Sequence, residues 1–364
     1  METFPLHSIS LEEAKQKQFR LIDEVTKVFE GHEMLSRGDL GLAKGLNQPL
    51  ATSKVEKIIA NFFHAEKAIL VRGSGTSAIR YALFSGLKAG DTLLIHDAPV
   101  YPTTETSIQM IGLKTIRANY NSLIELEKVI KDHPEIKGVL VQFTRQKIDD
   151  RYDFEEVVKI IKANTNAFII GDDNYAVMKV SKIGVESGTN LSCFSCFKLL
   201  GPEGIGCVVG DAKYIDIIKK FHYSGGMQVQ GHEAMDVLKG LIFAPVLLSI
   251  QAEVNEELVV RLNKQEVKGV KHAFLANAQS KVLIVELDKE NAQDVILAAQ
   301  KLGAAPYPVG AESQYELVPM FYRVSGTFLE SDPTLLNKMI RINPLRSGPD
   351  TIIRILKQAI ENSK

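Results

Sequence analysis

Between residues 53 and 171, short apolar runs alternate with segments of helical periodicity, and this alternation constrains the fold more than any other feature of the chain. The runs fall at 68–71, 92–95, 137–142 and 167–171, with helical stretches at 54–64 and 77–87 between the first of them. Brief apolar strands separated by helices are the pattern of a parallel sheet wrapped by helices. A large α/β domain is therefore expected over residues 51–250. Ahead of it, residues 1–50 read as an arm: an amphipathic helix near 11–30, then Gly38-Asp39-Leu40-Gly41-Leu42-Ala43-Lys44-Gly45-Leu46-Asn47-Gln48-Pro49, too rich in turn formers for regular structure. Past Phe243-Ala244-Pro245 a connecting helix is expected. Strands at 281–287, 321–326 and 339–343 and helices at 292–302 and 350–361 then make a smaller α+β domain over 251–364.

Composition narrows the partners. A formal charge of −1 and a pI near 6.7, with no dense basic block, give no field that would track a phosphate backbone, so nucleic acid is not expected. The N-terminus lacks a basic segment followed by an apolar one, and no run of about 18 apolar residues is evident. The expectation is a cytoplasmic protein without a membrane partner. Cys193, Cys196 and Cys207, an odd number close together, suit a reducing compartment rather than a disulfide framework. Cys193 and Cys196 form a C-x-x-C, but no second ligand pair lies nearby, and two small buried residues are expected in place of a metal site.

Arg72-Gly73-Ser74-Gly75-Thr76-Ser77-Ala78 follows a strand and opens a helix, so backbone N–H groups and hydroxyls converge at a positive helix end where an anion is expected. The same residues satisfy G-x-G-x-x-A, with Asp97 ending the next apolar run, so the loop alone also fits a dinucleotide-binding crossover or a plain tight turn. Residues further on distinguish these readings. Asp172 ends the apolar run 167–171, where open α/β sheets place ligands. Lys198 sits in Ser195-Cys196-Phe197-Lys198-Leu199-Leu200-Gly201-Pro202-Glu203-Gly204-Ile205-Gly206, an unusual place for lysine, whose glycines permit close approach to a bulky ligand. Pyridoxal 5'-phosphate needs a lysine for a Schiff base, an acid at its ring nitrogen and an aromatic shelf. Lys198, Asp172 and Tyr101 answer to these as catalytic candidates. Gly73, Ser74, Gly75, Thr76, Ser77 and Ser195 would meet the phosphate, Tyr175 the phenolic oxygen, and Gln142 the phenolic oxygen or the substrate.

These residues resemble fold-type I pyridoxal-phosphate enzymes, the aspartate aminotransferase superfamily. Gly73-Ser74-Gly75-Thr76, Tyr101, Asp172 and Lys198 look most like its cystathionine-lyase branch, and Lys198-Leu199-Leu200-Gly201 like its selenocysteine-synthase branch. More closely, Gly38-Asp39-Leu40-Gly41-Leu42, His96-Asp97-Ala98-Pro99-Val100-Tyr101-Pro102-Thr103-Thr104, Asp172-Asp173-Asn174-Tyr175-Ala176-Val177-Met178-Lys179 and Phe194-Ser195-Cys196-Phe197-Lys198 resemble the bacterial YhfS family of aminotransferase-like proteins. The resemblance implies a mostly parallel seven-stranded sheet in a three-layer α/β/α large domain. It also implies a homodimer with two active sites at the interface, where the arm and Tyr223-Ser224-Gly225-Gly226-Met227-Gln228 reach the partner's cofactor.

Met339-Ile340-Arg341-Ile342-Asn343 resembles the place where these enzymes grip the substrate α-carboxylate, a task suited to a planar, always charged guanidinium. Arg341 is the candidate, with Arg346, Arg323 and Arg145 as rivals. The implied activity on an amino-acid substrate is an aminotransferase, with a carbon–sulfur lyase or a cofactor-binding protein without turnover as alternatives. The sequence leaves these open: the Tyr101 motif lacks the glycine pair of cystathionine lyases, and the lysine segment lacks the arginine that aminotransferases place after it.

Overall fold

The computed structural model describes residues 2–145, 147, 149–277, 281–310 and 312–363. The alternation resolves into seven strands: β1 Lys67–Arg72, β2 Thr92–His96, β3 Lys114–Ala118, β4 Ile136–Gln142, β5 Phe168–Asp172, β6 Leu191–Ser195 and β7 Ile205–Gly210. They form one sheet in the order β1-β7-β6-β5-β4-β2-β3, in which β7 alone runs antiparallel to its neighbours β1 and β6. Successive side chains point to opposite faces. Leu93, Ile95, Leu140 and Ile170 accordingly enter one core with the helix Ser74–Gly86 and with Ile215 and Ile218 of the helix Ala212–Phe221. Leu94, Val139, Val141 and Ile169 enter another with the helices Leu123–Asp132 and Phe154–Asn164. Both faces are thus covered, as the unbroken apolar runs require. This is the three-layer α/β/α sheet implied by the resemblance.

The strand order settles the rival reading of the glycine loop. A dinucleotide crossover returns its second strand beside the first. Here the neighbour of β1 is antiparallel β7, and four strands separate β1 from β2, whose following Asp97 is exposed.

The chain divides into two units: residues 12–143 with 152–245, which hold this sheet, and residues 1–11, 144–151 and 246–364. The second unit carries strands β8 Val270–Ala276, β9 Val282–Leu287, β10 Met320–Arg323 and β11 Met339–Asn343, all antiparallel in the order β10-β11-β9-β8. The helices Ala292–Lys301 and Pro349–Asn362 supply its core, with Val295, Ala299, Ile352 and Leu356 fully or almost fully buried among Leu283, Val285, Ile340 and Ile342.

Three local expectations change. The strand expected over 321–326 ends at Arg323, because Ser325 accepts the Phe328 N–H and caps a short helix, Gly326–Ser331. The helix expected after Pro245 begins earlier, at Gly231, and runs through the proline to Asn263. Proline removes one hydrogen bond from a helix interior, and apolar burial on either side of it (Leu238, Leu241, Ala244, Leu248) offsets that loss. By length and composition the segment Gly225–Asn263 is apolar enough to cross a membrane, contrary to the sequence reading. More than half of its most apolar stretch is buried inside the protein, the pattern of a core helix.

Candidate active site

Four chain segments meet at the C-terminal ends of β4, β5 and β6 and at the turn after β1. Gly73 leaves β1 with φ +98°, a left-handed conformation, and a Cβ there would lie 2.0 Å from the Ser77 hydroxyl. The helix Ser74–Gly86 then starts. The Gly204 carbonyl accepts the N–H groups of Gly73 (2.6 Å) and Ser74 (3.0 Å), and Ser77 N–H returns to the Gly73 carbonyl. Of the first helical turn, the amides of Gly75 and Thr76 have no intrahelical acceptor, as at the start of any helix, where an anion is favoured. The Thr76 hydroxyl is 3.0 Å from that of Thr103, at the start of the helix Pro102–Ile111.

Asp172, 5% exposed, ends β5. One carboxylate oxygen accepts the Gln142 side-chain N–H (3.0 Å); the other accepts the Asn174 backbone (3.2 Å) and side-chain (2.8 Å) N–H groups. The carboxylate plane is therefore fixed from both sides. Its neighbour Asp173 is buried on the other side of the chain, where Gly184 N–H meets both its oxygens at 3.2 Å. Burial pushes the Asp173 carboxyl up to about 7; the Ser192 hydroxyl and Gly184 amide oppose this and the Asp172 charge adds to it.

Lys198 lies in a single 3-10 turn, Phe197–Leu199, after β6. Its ammonium donates to Asn174 Oδ1 (3.4 Å) and sits 3.9 Å from the Tyr175 ring centroid. The Ser195 N–H donates to the same Asn174 oxygen (3.1 Å). Tyr175 adopts φ +66°, which turns the chain sharply after β5. The lysine, the acid and the Ser195 N–H thus meet at one amide side chain, with Gln142 bonded to the acid and Tyr175 against the lysine. Tyr101 stands at the N-cap position of the helix Pro102–Ile111 and is half exposed.

Two of these segments show further roles. Gln142 gives one of its two side-chain N–H donors to Asp172. Two of the glycines after Lys198 also serve the loop: a Cβ on Gly206 would lie 2.2 Å from the Ser74 carbonyl oxygen, and Gly204 supplies the carbonyl that anchors Gly73 and Ser74. Asn174 and Thr103 were not singled out from the sequence. The signal for Asn174 was its place two residues after the strand-end acid, where a side chain folds back on the preceding carboxylate.

The arginines lie in the second unit. Arg341, 6% exposed on β11, donates its Nε–H to the Arg323 carbonyl (2.8 Å) and stacks on Tyr322, its Cζ 4.1 Å from the ring centroid. Its Nη1 is buried without a hydrogen-bond partner, as are both terminal nitrogens of Arg346. Burial lowers the Arg346 pKa, opposed by Glu312 and Glu316. The Arg323 side chain is exposed, and Arg145 donates to the Asp150 carbonyl (2.7 Å). Cys193, Cys196 and Cys207 are free and buried, and burial raises all three thiol pKa values.

The donor set of the larger unit fits the group to which the sequence pointed. Two open helix-end amides flanked by hydroxyls suit a phosphate, a primary amine suits an aldehyde, and a clamped carboxylate suits a ring nitrogen.

Comparison with known proteins agrees. The family profile for aminotransferase class I and II matches residues 30–235, and that for the YhfS-like C-terminal domain matches residues 256–356. The chain is 52% identical over 360 residues to the protein YhfS of Escherichia coli (strain K12), covering 99% of each. It superposes on the crystal structure of the pyridoxal-5'-phosphate-dependent protein YhfS from E. coli with a TM-score of 0.97 at 52% identity, again over 99% of both chains. More distant structures share the fold: a cystathionine γ-lyase from Micromonospora echinospora (TM-score 0.69, 15% identity, 85% and 86% covered) and a carbon–sulfur lyase involved in aluminum resistance from Clostridium novyi NT (TM-score 0.72, 15% identity, 96% and 90% covered). With its fold of type I and these matches across nearly its whole length, the chain belongs to the aminotransferase class I and II family and, within it, to the YhfS group.

Proposed function

We propose that the chain is a pyridoxal 5'-phosphate-dependent enzyme that transaminates a free amino acid. The cofactor assignment draws on the family, on the pyridoxal-phosphate dependence of the E. coli relative, and on the fit of the donor set. The observation that carries the reading is the meeting of a lysine amine and a strand-end carboxylate at one amide, Asn174. When bound, the cofactor supplies an aldehyde that accepts amines and a ring that takes up the electron pair released at the substrate Cα. Lys198 holds it covalently and, as general base, moves the proton at Cα. Asp172 keeps the ring nitrogen protonated through its charge. Gln142 and Asn174 fix that carboxylate, Gly73 to Ser77 and the Ser195 hydroxyl hold the phosphate, Tyr175 donates to the phenolic oxygen, and Tyr101 covers the ring. Arg341 grips the α-carboxylate with its unpaired Nη1, a task for which Arg346 is the alternative.

The protein is proposed to act as a cytoplasmic homodimer. Leu40 and Tyr223 are 74% and 76% exposed, and their segments lie together: Asn47 donates to the Tyr223 carbonyl (3.0 Å). A partner subunit would cover these apolar side chains. The deciding experiment incubates the holoenzyme with a panel of amino acids. Transamination predicts a keto acid that retains the substrate side chain, with the amino group left on the cofactor. Release of ammonia with loss of a side-chain fragment would assign elimination instead, and no spectral change with any amino acid would leave a binding protein.

A further inference from the structure

Asn174 joins groups that the reading above uses separately. Its side chain is 8% exposed, its N–H₂ donates to Asp172 (2.8 Å), and its oxygen accepts from Ser195 N–H (3.1 Å) and from the Lys198 amine (3.4 Å). The loop makes room for it: a Cβ on Gly75 would lie 2.5 Å from that oxygen. An amide is the side chain suited to this place, since it offers a donor to the carboxylate and an acceptor to the two N–H groups at once. Leucine would leave the carboxylate and the Ser195 amide short of a partner, and aspartate would set one acceptor against another.

We propose that Asn174, with the face of Tyr175, is the rest on which Lys198 is held while its amine is not joined to the cofactor, and that this rest sets the basicity and the aim of the amine. One N–H of the amine goes to Asn174 Oδ1 and another points at the Tyr175 ring, 3.9 Å to its centroid. These two contacts restrict where the amine can point. Once protonated, the ammonium is favoured by the amide oxygen and by the ring face. Asn174 is thus a positioning residue for proton transfer as well as a brace for Asp172. Among the described residues, Asp172 lies at the donor end of Asn174 and Lys179 lies 5.7 Å from the same ring centroid. Both variants also remove the Asn174 donor to Asp172, a loss common to the two that cannot by itself move their midpoints in opposite directions; Lys179 is left as it is.

The proposal rests on Lys198 being the cofactor lysine. The test measures how fast the full chain, stripped of cofactor, develops visible absorbance on adding pyridoxal phosphate across a pH series; coupling requires the neutral amine, so the midpoint reports its basicity. Asn174→Ala removes the acceptor and should lower the midpoint by about half to one pH unit, since one unit corresponds to the loss of a single charge-assisted contact. Asn174→Asp keeps size and acceptor but adds charge, and should raise it. Opposite shifts in the two variants are not expected of a residue that merely fills space. Midpoints unmoved in both, or moved the same way, would overturn the proposal. Asn174→Asp is nearly isosteric, so should the alanine variant fail to fold, an unmoved midpoint in the aspartate variant alone overturns it. Absence of Lys198-dependent absorbance in the parent would instead refute the assignment of Lys198.

Discussion

Gly206→Ala is the sharpest perturbation of the proposed phosphate loop that substitutes none of the proposed ligand residues. A methyl at Gly206 would lie 2.2 Å from the Ser74 carbonyl oxygen and 2.6 Å from its carbon. Backbone carbon–oxygen contacts settle near about 3.3 Å, so the loop must retreat by about 1 Å. Both contact atoms are backbone, so no rotamer change relieves the clash, and overpacking of this kind costs about 1–3 kcal/mol. The retreat would displace the helix end whose Gly75 and Thr76 amides are proposed to meet the phosphate, and each hydrogen bond to a charged group contributes about 1.5–3 kcal/mol. Losing about half of that sum weakens cofactor binding by roughly 10–100-fold. Cofactor affinity, from absorbance titration of stripped protein, and Tm are measured together. Gly90→Ala is the control: Gly90 has φ +87° and open space around it, so alanine there costs about 1–2 kcal/mol of backbone strain without touching the loop. Parental cofactor affinity in Gly206→Ala, at a Tm lowered no further than in Gly90→Ala, would refute the role given to the loop.

Arg341→Met should lower kcat/KM for the amino acid by about 30–100-fold, the loss of one bidentate carboxylate contact; steady-state kinetics beside Arg346→Met would transfer the role if only the second variant suffers. The Glu56 carboxyl is pushed up to about 7 by burial, against the opposing hydrogen bonds from Leu70 N–H and Gln48. A carboxyl whose folded pKa is raised holds its proton while the unfolded chain has released its own, so its contribution falls as pH rises from about 4.5 to 7 and then levels. Glu56→Gln should therefore gain stability relative to the parent across that window, read from urea midpoints at a series of pH values.

The lysine and its acid were legible because each stands against its surroundings. Asp172 ends an apolar run, and Lys198 interrupts a stretch of small and apolar residues. The helix-end loop was legible from its glycines, although its rival reading fell only with the strand order. What escaped depends on non-local packing. Lys114–Ala118 is an edge strand with mostly exposed side chains and carries no apolar run. The partnership of Gly206 with Ser74 exists because β7 inserts antiparallel beside β1, which no local pattern announces. Pro245 reads as a break, yet burial along the helix outweighs its lost hydrogen bond. Asn174 was overlooked between two acids and a tyrosine, since its value lies in partners 21 and 24 residues further along the chain.

The central claim is that Lys198 carries the cofactor, and borohydride reduction of the holoenzyme followed by peptide mass analysis tests it directly. The predicted result is a pyridoxyl-phosphate mass increment on the peptide containing Lys198, with a colourless, unlabelled Lys198→Ala protein. The increment on another lysine, such as neighbouring Lys179, or unchanged labelling in the variant, would contradict it.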